Sequence, residues 1–225
     1  MFSEGTQETL RRAVRDLSWL RTHGYAERSA LKIVGDRYQL RARQRVAVSR
    51  CACPDGAMAQ RESRRMKPHA VEGMALELDG LNVLTTVEVA LAGGVLLLGR
   101  DGCMRDMASF HGNYRLVHET EHAVEILFGI LDSMRPSDVR IYIDRPVSNS
   151  GRLANAIRTT AKRHPVCVDA VLSDRVDEKL KTSTAVVATA DSAILDACGP
   201  WVNLARMAVE QHRPELERFW LVDLA

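Results

Sequence analysis

From residue 74 onward, short apolar runs alternate with amphipathic helical segments, and this rhythm restricts the possible fold more than any other feature. The runs fall at 75–79, 94–98, 138–144, 166–172, 184–189 and 201–204. Helical spacing fits 82–92, 103–110, 120–134, 150–163, 191–198 and 204–212. Strands that alternate with helices predict an α/β unit with a mainly parallel, doubly wound sheet covered on both faces. In such sheets the ligand cleft lies beyond the carboxyl ends of the strands.

The chain ahead of this region reads differently. Leu10, Val14, Leu17 and Leu20 recur at helical spacing, and His23-Gly24-Tyr25 stops that helix. Ser29 opens a second helix, and a third runs through "RARQRVAVSRCAC" to Pro54-Asp55-Gly56. "QRESRRMKPHA" reads as a polar connector. The expected organisation is a small basic helical domain over 1–67 followed by an α/β domain over 68–225.

Charge divides at the same place. Residues 1–67 hold 15 basic and 7 acidic residues, a net +8, and 68–225 hold the remaining 16 basic and 22 acidic, a net −6. Two units with different partners are expected. Arg and Lys of residues 11–67 suit phosphate-backbone contact as well as a plain solvated face. Hydrophobic residues at 46% and charged residues at 27% belong to a folded soluble protein. No apolar run reaches membrane-helix length, and "MFSEGTQETLRRAVRDL" lacks a signal-peptide core, so a cytoplasmic protein with no membrane partner is expected. The five cysteines are odd in number and irregularly spaced, which argues against a disulfide framework.

Acids recur where the strands should end. Asp79 ends "ALELD", Asp144 ends "VRIYID", Asp191 ends "AVVATAD", and Asp174, Asp177 and Glu178 follow "VCVDAVL". Carboxylates gathered along one sheet edge repel one another, and a hard divalent cation removes that cost. Each also has a plain structural reading: Asp79-Gly80 is a turn dipeptide, Asp191 a helix N-cap, and Asp144-Arg145-Pro146 a loop. Asp101 and Asp106 read as further acids of the cleft or, the favoured reading, as caps of the helix expected at 103–110.

The motifs "LELDGLNVL", "IYIDRPVSNSG" and "DEKLKTSTAVVATADSAILD" resemble the acidic strands of the NYN branch of PIN-like ribonucleases. That resemblance covers about 74 to 205. It implies a PIN-like fold, a nuclease and Mg²⁺ or Mn²⁺ held by Asp79, Asp144, Asp177 and Asp191, with Asn82 beside them. The sequence departs from the pattern at Ala190 and Ser192, where a more acidic cluster is usual, and no acid near Glu88 can be fixed as the helical member. Nearly the whole chain resembles the uncharacterised prokaryotic family called domain of unknown function 434, in which a basic segment like "GYAERSALKIVGDRYQLRARQRVAVSRC" precedes such a region.

A competing motif is His118-Glu119-Thr120-Glu121-His122, a literal H-E-x-x-H. On one helix the two histidines would hold zinc with Glu119 as base. Thr120 reads as the N-cap, which would leave His118 outside the helix.

The leading expectation is a metal-dependent ribonuclease whose basic N-terminal domain grips nucleic acid, RNA above all. The alternatives are a non-catalytic RNA- or protein-binding module on the same fold and a zinc peptidase through His118, Glu119 and His122. The sequence leaves oligomeric state open.

Overall fold

The computed structural model describes residues 2–107, 118–213 and 219–225. The chain forms two compact units. The first comprises Met1–Ser63, Val95–Met107 and Trp220–Ala225, and the second comprises Arg64–Gly94 and Ala108–Phe219.

The first unit begins with helices α1 (Glu4–Thr22), α2 (Glu27–Arg37), α3 (Ala42–Cys51) and α4 (Asp55–Arg64). Leu10, Ala13, Val14 and Leu17 of α1 form a buried stripe against Ala30 and Val34 of α2 and Ala47, Val48 and Cys51 of α3. The expected polar connector is therefore half wrong, because "DGAMAQRESR" is helical as α4. Its Arg61 explains why so polar a segment folds: the side chain is buried in an ion pair with Asp101, described below.

The second unit opens with a short 3₁₀ turn (Pro68–Val71) and strand β1 (Ala75–Asp79), followed by α5 (Gly80–Leu91). The chain then enters the first unit as an antiparallel hairpin of β2 (Val95–Leu98) and β3 (Met104–Asp106). Two expectations fail here. The helix expected at 103–110 is strand β3, with 108–110 outside the described residues, and the apolar run at 94–98 does not join the main sheet. Asp101-Gly102 turns the hairpin, with Gly102 at φ 73°, where an L side chain would be strained.

The second unit continues with α6 (Glu119–Met134), β4 (Asp138–Asp144), α7 (Ser150–Ala161), β5 (Val168–Ser173), α8 (Val176–Lys181), β6 (Val186–Ala188), α9 (Ser192–Leu195), β7 (Trp201–Val202) and α10 (Leu204–Gln211). A last strand, β8 (Trp220–Asp223), returns to the first unit and pairs in parallel with β2.

The main sheet has five strands in the order β5-β4-β1-β6-β7, and every neighbouring pair is parallel. Leu76, Leu78, Val139, Ile141, Val186 and Ala188 point to one face, where α5, α6, α7 and α10 bury them. Helix α8 lies on the other face, where Glu77, Arg140 and Tyr142 line a depression of about 520 Å³ with Lys179. That face is only partly covered, since the Arg140 side chain remains 59% exposed. The expectation of two fully covered faces is corrected in this respect: the alternate residues of β4 and β5 include Arg140 and Asp169, which need no cover.

Candidate functional site

The strand order reverses beside β1. From β1 the chain moves to β4 and β5 on one side, then crosses to β6 and β7 on the other. The carboxyl ends of β1 and β6 therefore flank a topological switch point, where open α/β sheets place their ligand crevice. Asp79 is the last residue of β1, and Asp191 follows the end of β6.

The Asp79-Gly80 pair is required by this geometry. The Asp79 side chain caps α5 through a long 3.4 Å bond from the Asn82 backbone N–H. A Cβ on Gly80 would sit 2.7 Å from the Tyr142 carbonyl oxygen and 2.8 Å from Ile141 Cγ2. Only glycine lets α5 start this close to β4. The aspartate ends a buried strand because it caps, and the glycine follows because the strand next door leaves no room.

Asp79 is 7% exposed. Its Oδ2 accepts a 3.0 Å hydrogen bond from Thr189 Oγ1, and the Thr189 hydroxyl in turn accepts the Asp191 N–H at 3.0 Å. Asn82 Oδ1 accepts the Ala190 N–H at 2.8 Å. The β1–α5 corner and the β6–α9 corner are thus laced together by side chains. The Nδ2 group of Asn82 has no acceptor among the described residues. Thr189 carries no recognisable catalytic signal in the sequence; it is found only because Leu78 pairs with Ala188, which brings the next residue of each strand together.

Burial pushes the Asp79 carboxyl up to about 7; Thr189 and the Asn82 N–H pull it down, while the nearby Asp191 and Asp144 carboxylates raise it further. Asp144, the last residue of β4, is also raised, by burial and then by Asp177. Asp79 thus senses Asp191 and Asp144, and Asp144 senses Asp177. No lysine or arginine among the described residues pairs with Asp79, Asp144 or Asp191. Asp177 differs: it is exposed on α8 and lies 3.9 Å from Lys181 Nζ. Asp191 Oδ1 caps α9, accepting the N–H groups of Ala193 at 2.8 Å and Ile194 at 3.1 Å. Asp174 and Glu178 stand at the surface, paired with Arg145 and Arg175.

Oxygen donors that repel one another and lack a cationic partner suit a hard divalent ion. Among the described residues no three carboxylate, imidazole or thiol groups already stand at ligand spacing. Mg²⁺ needs no such cage, since it is commonly held by one or two carboxylates together with water and substrate phosphate. Asp79, with Asp144 and Asp191 as its carboxylate neighbours, is where such an ion would be held if one binds. The 520 Å³ depression on the α8 face includes none of the candidate residues.

The H-E-x-x-H stretch is arranged otherwise than expected. His118, not Thr120, is the N-cap of α6. Thr120 is buried, and its Oγ1 donates a 2.6 Å hydrogen bond to Glu88 Oε1. His118 and His122 are both exposed. Asp101 and Asp106 do not cap a helix either. The Asp101 side chain is 1% exposed and binds Arg105 (Nη2 to Oδ2, 2.6 Å) and Arg61 (Nη1 to Oδ2, 2.5 Å), whereas Asp106 lies 3.7 Å from Arg50. The five cysteines are all free, four of them buried. Among the described residues no helix is long and apolar enough to cross a membrane.

Comparison with known proteins bears on the whole chain. The model of the family described as domain of unknown function DUF5616 matches residues 68–207, and that of DUF434, a protein of unknown function, matches 9–64. The DUF434 likeness thus ends where the basic helices end, short of the near-complete span expected. An uncharacterised protein of Methanocaldococcus jannaschii is 29% identical over 187 residues, covering 83% of this chain and 89% of that one. No solved structure matches the chain. With more than half of its length matched, the chain belongs to the DUF5616 family, and a DUF434 segment precedes that region.

Proposed function

We propose that this protein is a metal-dependent hydrolase of phosphodiester bonds in nucleic acid, RNA being the expected substrate, built on a PIN-like domain of the NYN kind. The observation that carries the reading is the position of Asp79. It is buried at the switch point of a wholly parallel sheet, with Asp191 and Asp144 near enough to disfavour its ionisation. Numbered within the unit, the strand order is 3-2-1-4-5, a doubly wound order whose crevice accepts phosphate-bearing ligands in many folds.

Asp79, Asp144 and Asp191 would hold Mg²⁺ or Mn²⁺, with Asp177 beyond Asp144 as a further oxygen donor. When bound, such an ion supplies positive charge for the phosphoryl group and makes water more acidic. The chain's own residues do the rest. Thr189 fixes the rotamer of Asp79 and keeps one of its oxygens hydrogen-bonded. Asn82 pins the β6–α9 corner with its carbonyl and offers its Nδ2 group as a donor for water or a substrate oxygen. Burial keeps bulk water from screening the charges.

The test is incubation of purified protein with labelled single-stranded RNA and Mn²⁺ beside the Asp79→Asn variant. Cleavage by the native chain and at least roughly a hundredfold less by the variant is expected. Equal cleavage by both refutes the assignment. RNA binding without cleavage, together with no heat of Mn²⁺ binding at millimolar concentration, would identify a non-catalytic binding module instead.

A further inference from the structure

Helices α2 and α3 are joined by the short turn 38–41, and α1 packs across both. The turn is built with care. Gln39 takes a left-handed conformation at φ 49°. Arg45 of α3 reaches back over α2, where its Nε donates to the Leu40 carbonyl at 3.0 Å and its Nη2 to Asp36 Oδ1 at 2.8 Å. Gly35 makes room for it, since a Cβ there would collide with the guanidinium. Leu40 is buried under the turn. These contacts fix α3 relative to α2, which a pair of helices serving only as core filler does not require.

Helix α3 divides sharply into two faces. Gln44, Ala47, Val48 and Cys51 are buried. Arg43 and Val46 face solvent, as does Arg41 at the N-cap, and Val46 is 40% exposed. Arg41 and Arg43 form no ion pair with any described residue. The acids nearby are occupied: Asp36 by Lys32 and Arg45, and Glu27 by Arg21 and the Ser49 hydroxyl. An outward β-branched side chain one helical turn after two unpaired arginines, in the N-terminal half of a rigidly held second helix, matches a helix that enters a groove. Arginine suits guanine edges and phosphates, and an apolar branch suits the thymine methyl group.

We propose that α2–turn–α3 is a helix-turn-helix whose second helix inserts into the major groove of duplex DNA. The partner is DNA rather than duplex RNA because the B-form major groove admits an α-helix, whereas the A-form groove is too deep and narrow. The proposal stands on the first unit alone and is independent of the hydrolase reading.

The full chain is titrated, in EDTA to prevent hydrolysis, into fluorescent random-sequence 20-base-pair DNA, duplex RNA of the same sequences and single-stranded RNA. Expected is anisotropy-detected binding to duplex DNA in the micromolar range, tighter than to either RNA. Arg41→Ala/Arg43→Ala should weaken it about tenfold and reduce the salt slope by about 2, as two lost phosphate contacts require. Arg12→Ala/Arg15→Ala on α1 is the comparison and should weaken binding less. Circular dichroism melting of both variants at the native temperature shows that neither is unfolded. Preference for either RNA, no binding at tens of micromolar, or equal losses in the two folded variants overturns the proposal.

Discussion

Thr189 Oγ1 donates a 3.0 Å hydrogen bond to Oδ2 of Asp79 from 110 positions away in sequence, with both groups buried. This contact holds the Asp79 carboxyl in place and opposes the rise that burial imposes on it, and it gives the first test.

Thr189→Val keeps the shape and removes the donor. Asp79 then loses the interaction that most favours its charged form, so its carboxyl rises still further. A loss of about 1–3 kcal/mol at pH 8 is expected, measured by urea unfolding in EDTA. The loss should shrink near pH 4, where the carboxyl is protonated.

Asp79 should also shape the pH dependence of stability. Its folded-state value of about 7 exceeds the ordinary 3.8, so between these limits the native state holds the extra proton. Stability from this group therefore falls as pH rises through that window and stays low above it. Asp79→Asn removes the penalty. It should raise stability by about 2–4 kcal/mol at pH 8 and change it little at pH 4, read as paired denaturation midpoints.

Gly80→Ala is expected to destabilise by about 1–3 kcal/mol, because its methyl would press on the Tyr142 carbonyl. Backbone cannot swing away as a side chain can. Thermal melting checks the cost, and Mn²⁺ titration should show weaker binding as the Asp79 corner shifts. Native stability with native Mn²⁺ affinity would contradict this account.

Asp101 supports the first unit in the opposite sense. Burial raises its carboxyl, but Arg105 and Arg61 outweigh that and hold it at about 2. Its contribution is present above about pH 4 and lost as the pH falls toward 2. Asp101→Asn leaves two buried guanidinium groups without that charge and should cost about 3–5 kcal/mol, measured by guanidinium unfolding.

Local chemistry made much of this molecule legible in advance. The apolar runs ending in Asp79 and Asp144 are strands with those acids at their carboxyl ends, and the spacing of Leu10, Val14 and Leu17 is a helix, whereas Asp191 caps α9 beyond β6 and Asp177 lies within α8. Each is written in neighbouring residues through a period of 2 or 3.6. Where local spacing misled, a distant partner had the deciding influence. "DGAMAQRESR" looks solvated until Arg61 meets Asp101, and "CMRD" looks helical until β2 pairs with it as β3.

The sequence by itself determined the α/β rhythm, the basic front segment and the acids that end the strands, because those features depend on contacts within a few residues. Only the tertiary structure decided which acids sense one another, that Thr189 supports Asp79, and that 95–107 and 220–225 build a second sheet with the N-terminal helices. Such pairings are set by strand order and register. They are chosen by the burial of whole faces, which no short stretch of sequence contains.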